Sequence, residues 1–219
     1  MIDVNEPDER PPAERAVLFD VGGTLASNGP VVSIAARLLG LPTTGPQVDA
    51  LAEAVMARRE EYDRTGDDTA YWQQVSDDAD GPELSAEVVE QLVAADVQRW
   101  ARLTPAVLAL LRDLDRAGVR LGVLSNAPTA LARTFDNQPW SELIAVQRFS
   151  CFTQLSKPDR RAYEDAVEHM DVPAGRVIFL DDRQVNVDAA VAAGLDAHLW
   201  QGADAARELL ERRGLIAPD

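Results

Sequence analysis

The stretch Ala16-Val17-Leu18-Phe19-Asp20-Val21-Gly22-Gly23-Thr24-Leu25 decides the fold. Four apolar residues ending on a carboxylate and a glycine pair read as a buried strand opening into a tight loop, since a strand covered on both faces needs no polar alternation. The same signature returns three times. Val119 to Leu124 stops at Ser125-Asn126, Val177 to Leu180 stops at Asp181-Asp182, and Ala197 to Trp200 follows Gly194. Helical periodicity fills the intervals, over 105–117 with Val107, Leu110, Leu111 and Leu114 on one face, then roughly over 159–170 and 184–193. Strands alternating with helices predict an α/β fold, a parallel sheet with helices on both faces. In such sheets the ligand site lies beyond the carboxyl ends of the strands.

Outward from this core the pattern changes. Between residues 28 and 103 apolar residues recur at helical spacing and no strand run occurs, as in Val48, Leu51, Val55 and Met56, or Val88, Val89, Leu92, Val93, Val97 and Trp100. Four helices are predicted near 30–40, 46–64, 69–78 and 84–101, punctuated by Gly40, Pro42, Gly45, Pro46, Gly66, Gly81 and Pro82. The expected organisation is a core over 15–27 and 104–219, interrupted by a helical cap over 28–103. Residues 1–14 are acidic and proline-bearing, the reverse of a signal peptide, and are expected to be a disordered tail.

Composition narrows the partners. The 219 residues, 46% apolar, suffice for a core domain with a smaller lobe. Lys and Arg number 21 against 37 Asp and Glu, and the net charge of −16 repels nucleic-acid backbones and anionic membrane surfaces. The lone cysteine, Cys151, excludes an internal disulfide and a cysteine-built zinc site. Every apolar run falls far short of the roughly 18 residues of a membrane span. A cytoplasmic protein, monomeric or a small homo-oligomer, acting on a small molecule is the expectation.

Four strand or loop ends carry chemistry: Asp20, Ser125, Lys157 and Asp181-Asp182. Carboxylates that converge on one crevice stay ionised cheaply only if a cation neutralises them, and hard oxygen ligands suit magnesium. The site is therefore expected to contain a metal.

These residues also carry a family resemblance. Phe19-Asp20-Val21-Gly22-Gly23-Thr24-Leu25 resembles the first motif of the haloacid dehalogenase superfamily, in its phosphatase-like branch with an inserted helical cap on a Rossmann-like core. Leu124-Ser125-Asn126 resembles the second motif, Lys157-Pro158-Asp159 the third, and Phe179-Leu180-Asp181-Asp182 with Asn186 the fourth. The resemblance implies that Asp20 is a nucleophile attacking phosphorus, giving an aspartyl phosphate that water hydrolyses. It implies magnesium held by Asp20, the Gly22 carbonyl, Asp182 and Asp181, and a phosphate cradle of Gly22, Gly23, Ser125, Asn126 and Lys157, with Ser125 and Lys157 stabilising charge on the transferred group. Thr24 is expected to hold the loop.

One position departs from the family pattern. Where phosphatases of the family usually carry a second Asp, two residues after the nucleophile, as the acid for the leaving oxygen, this chain has Gly22. A positioned general acid is worth roughly 100-fold to 10,000-fold. Either another donor serves, with Arg and Tyr side chains of the cap as candidates, or the leaving group departs with little help. Two alternatives stay open: a metal-free 2-haloacid dehalogenase, with which Gly22 is compatible but Asp181-Asp182 is not, and a non-catalytic binding or regulatory module. Ser125 lacks the flanking glycines of a serine-hydrolase elbow. His169, His198 and Cys151 read as structural, and Tyr71, Trp72 and Trp100 read as cap core or as residues reaching over the site.

Overall fold

The computed structural model describes residues 14–26, 31–98 and 102–218. The expected tail, apart from Glu14, and Trp100 lie outside them. Five strands, β1 (Ala16–Phe19), β2 (Arg120–Ser125), β3 (Val146–Phe149), β4 (Val177–Asp181) and β5 (Asp196–Leu199), form one sheet in the order β3-β2-β1-β4-β5, every neighbouring pair parallel. The strand bearing Asp20 is thus central, flanked by those bearing Ser125 and Asp181.

Side chains alternate across this sheet, as the pleat requires. Val17 and Phe19 of β1, Leu121 and Val123 of β2, and Ile178 and Leu180 of β4 share one apolar cluster, which α6 (Pro105–Arg116), α7 (Thr129–Asp136) and α11 (Ala203–Arg212) complete with Leu110, Leu131 and Leu210. Ala16, Leu18, Leu124, Val177 and Phe179 face the other way, against α9 (Arg160–Met170) and α10 (Gln184–Ala192) through Ala162, Tyr163, Met170 and Ala190. Gly122 explains one close approach. A Cβ there would stand 2.5 Å from Met170 Sδ, so a side chain on β2 would push α9 off the sheet.

Helices α1 (Val31–Leu38), α2 (Pro46–Ala57), α3 (Arg59–Thr65), α4 (Asp68–Asp78) and α5 (Ala86–Gln98) follow β1 in the chain and build a separate apolar cluster. Tyr71 and Trp72, with Leu51, Tyr62 and Leu92, are buried in it, which makes both aromatic residues cap core. The Tyr62 and Tyr71 rings stack at 4.0 Å between centroids. The single helix expected over 46–64 is two, broken at Arg58, whose backbone caps α2 and starts α3. Arg58 then binds Asp78 of α4 through both Nε and Nη2. No helix among the described residues is long and apolar enough to cross a membrane.

Candidate active site

Strand pairing brings the polar strand ends together. Asp20 N–H still donates to Leu180 O at 2.9 Å, so the nucleophile candidate sits at the last rung between β1 and β4. There Ser125 Oγ donates to Asp20 Oδ1 at 3.0 Å, and Lys157 Nζ donates to the same oxygen at 2.6 Å. Lys157 also reaches Asp181 Oδ2 at 2.6 Å, with its ammonium 5.5 Å from the centroid of the Phe179 ring. Both recorded contacts of Asp20 fall on Oδ1, which fixes the carboxylate and leaves Oδ2 the freer oxygen. Asp20 is 6% exposed, Lys157 5% and Asp181 0%.

Asp20, Asp181 and Asp182 each offer an oxygen, and these lie within 4.8 Å of one another. Three carboxylates against one ammonium is an excess of negative charge in a buried place. That excess sets the direction in which the carboxyls shift. Burial, then the charges of Asp20 and Asp181, push the Asp182 carboxyl up to about 6. Burial also raises Asp20, with Lys157 opposing and Asp181 adding to the rise. Lys157 goes upward although burial alone would lower it, because Asp20 and Asp181 both hold its proton. A hard oxygen donor set this crowded fits a divalent cation such as magnesium.

The remaining predicted residues divide. Gly23, at φ 87°, makes the turn, but its N–H donates to Ala26 O at 2.8 Å and so does not serve as a phosphate donor. The amides of Thr24 and Ala26 are likewise turned inward, both on Val21 O. Thr24 Oγ1 is buried with no hydrogen-bond partner, so Thr24 holds the loop through its backbone. Asn126 Nδ2 donates to Lys157 O and its Oδ1 accepts from Lys157 N–H, each at 2.8 Å, so the side chain positions Lys157.

Asn186 was legible as part of the fourth motif without a role. The structure supplies one: its Nδ2 donates to Asp181 Oδ1 at 2.9 Å and Oδ2 at 3.0 Å, while Arg183 N–H donates to Asp181 Oδ1 at 2.9 Å. Asp181 is therefore gripped by an ammonium, an amide and a backbone N–H, so that a fully buried carboxylate has hydrogen-bond partners on both oxygens.

A parallel sheet with an inserted helical cap and an acidic, lysine-bridged cluster at its carboxyl edge defines a capped α/β hydrolase. The chain belongs to the haloacid dehalogenase-like hydrolases, whose family pattern matches residues 14–194. Among relatives, "Phosphatase MT3486" of Mycobacterium tuberculosis is 29% identical over 119 residues, covering 53% of this chain and 55% of that protein. The chain thus spans about half the length of that relative. "Sesquiterpene phosphatase astK" of Aspergillus oryzae is 27% identical over 183 residues, 83% of this chain and 87% of that protein. The solved L-2-haloacid dehalogenase RSc1362 superposes with a TM-score of 0.63 at 23% identity, over 84% of this chain and 85% of that one, a likeness of fold.

Proposed function

We propose that this protein is a magnesium-dependent phosphohydrolase of a small phosphorylated metabolite, acting through an aspartyl phosphate on Asp20. The observation that carries this reading is the set of three carboxylates with oxygens within 4.8 Å, two of them, Asp20 and Asp181, bridged by Lys157. Displacement of halide from an anionic haloacid gains nothing from Asp181 and Asp182, whose charge would repel that substrate. Phosphoryl transfer does gain, once a cation is held there. The phosphatase relatives support the same reading.

Asp20, Asp181, Asp182 and the Gly22 carbonyl would hold magnesium, which when bound supplies positive charge against a phosphoryl oxygen. The chain's own groups do the rest. Asp20 attacks phosphorus, forming a P–O bond to its carboxylate as the bond to the leaving oxygen breaks. Water then attacks that phosphorus, releasing phosphate and returning the carboxylate, so that one water is consumed per ester cleaved. Ser125 Oγ and Lys157 Nζ, already aimed at Asp20 Oδ1, place a hydrogen bond and a fixed charge beside the transferred group. Asn126 and Asn186 keep Lys157 and Asp181 in place.

Gly22 offers no side chain to protonate the leaving oxygen. Aryl phosphates are therefore expected to be hydrolysed roughly 100-fold or more faster than alkyl phosphates, in kcat/KM, on the scale that a general acid contributes. Phosphate release from an aryl phosphate with magnesium, and its loss in EDTA, tests the proposal. Halide release from a 2-haloacid without magnesium would replace it with the dehalogenase reading, and neither activity would leave a binding module. Gly22→Asp, in turn, is expected to flatten the leaving-group dependence by raising the alkyl rate. An aryl-to-alkyl ratio unchanged from wild type in a folded Gly22→Asp enzyme would count against the missing-acid account.

A further inference from the structure

Ser150 stands where the cap, the sheet and the loop after β2 meet. It follows β3 directly and opens α8 (Ser150–Thr153), 1% exposed. Its hydroxyl accepts a hydrogen bond from Ala127 N–H at 3.0 Å and donates one to the carbonyl of Asp63, in α3 of the cap, at 2.7 Å. One hydroxyl thus joins a cap helix to the residue two places after Ser125. The same loop is tied on its other side to Lys157 through the Asn126 amide.

The cap end of this contact is itself fixed. Arg59 Nε binds the Asp63 carboxylate at 2.7 Å within α3, and Arg59 Nη1 binds Asp96 of α5 at 2.8 Å, so the arginine that pairs with Asp63 also fastens α3 to α5. One residue beyond α3, Gly66 adopts φ 65° and lies so close to the start of α7 that a Cβ would stand 2.9 Å from Thr129 Oγ1. The cap therefore touches the 125–129 loop twice, at Ala127 through Ser150 and at Thr129 directly.

We propose that Ser150 is a positioning residue that ties the seating of the cap on the core to the placement of the loop carrying Ser125. Buried N–H and C=O groups must be paired, so Ala127 N–H and Asp63 C=O share the Ser150 hydroxyl only while α3 is seated. When α3 withdraws, that hydroxyl loses the acceptor that orients it, is left to turn toward Ala127 O 3.5 Å away, and holds Ala127 N–H less firmly. The consequence for turnover rests on the phosphohydrolase reading, whereas the mechanical tie does not.

Hydrogen exchange and steady-state kinetics on the full chain test this in four proteins: wild type, Ser150→Ala, Gly66→Ala and the double variant. Gly66→Ala strains the backbone at positive φ and crowds Thr129, lifting α3 without touching Ser150. Each single variant is expected to raise exchange at Asn126 and Ala127 by about tenfold, and the double variant no further, because at those amides both act through the Ser150 tie, whereas the direct crowding of Thr129 by Gly66→Ala is read separately over 129–131. With an aryl phosphate, Ser150→Ala is expected to lower kcat by about tenfold and change KM by less than about twofold, since Ser125 acts on the transferred group. Ser150→Thr, which keeps the hydroxyl, is expected to recover most of that loss. Additive exchange effects, protection unchanged in Ser150→Ala, or a folded and active Ser150→Ala enzyme with wild-type kcat would each overturn the proposal. Non-additive exchange in a wild type that releases no phosphate would uphold the tie and remove the phosphohydrolase reading instead.

Discussion

Asp20→Asn is expected to abolish phosphate release, a loss on the order of 10⁴-fold or more, while leaving the fold intact. The amide keeps an oxygen for the hydrogen bonds from Ser125 and Lys157 but has no charge with which to attack phosphorus. Its effect on stability has the opposite sign. Asp20 is one of three carboxylates crowded within 4.8 Å, and burial already pushes its carboxyl up. Removing one charge relieves repulsion among three carboxylates that the single Lys157 ammonium does not balance, so without magnesium the variant should unfold at an equal or higher urea concentration than wild type. The pair of measurements is diagnostic. Lost activity with retained stability assigns chemistry to Asp20, lost activity with lost stability assigns it a structural role, and retained activity places the nucleophile elsewhere.

How far the sequence discloses this site depends on which physical signal each part leaves. Buried parallel strands must be apolar on both faces, so β1, β2 and β4 are readable as runs, and the residues at which the runs stop are Asp20, Ser125 and Asp181. β3 leaves no such run. It is four residues long at the sheet edge, and Gln147 and Arg148 lie between its buried ends Val146 and Phe149. The Arg148 side chain goes to Asp165 of α9 through two hydrogen bonds, a long-range pairing that local pattern does not announce. Because β3 escapes notice, so does Ser150 at its end.

The division of labour among the polar residues is less legible still. Asn126 stands next to Ser125 in the chain and invites the same role, but which groups its amide meets depends on where the Lys157 backbone comes in space. Gly23 shows the same limit: a glycine at a loop is readable, yet whether its N–H faces ligand or Ala26 O is decided by how tightly the loop closes. The break at Arg58 leaves no mark in the local sequence, since nothing there forbids a continuous helix and Arg58 itself keeps right-handed helical angles.

Lys157→Met carries the second large effect, and it acts on stability and turnover together. The methionine matches the lysine's apolar stem and removes only the ammonium that touches Asp20 and Asp181 at 2.6 Å each. Both side chains of each pair are at least nine-tenths buried, so the carboxylates cannot turn to water for replacement. Removing one partner of a buried ion pair costs about 3–5 kcal/mol, and here one ammonium serves two partners. The loss of a fixed charge beside the transferred group is expected to lower kcat by at least about 100-fold as well. Magnesium should then discriminate. With the ammonium gone the three carboxylates are short of one more positive charge, so saturating magnesium should raise the urea midpoint of Lys157→Met more than that of wild type, the increment growing with ligand concentration as linkage requires. Equal midpoint shifts in the two proteins would mean that the cation and Lys157 do not answer the same excess of negative charge, and the electrostatic account of the site would fail there.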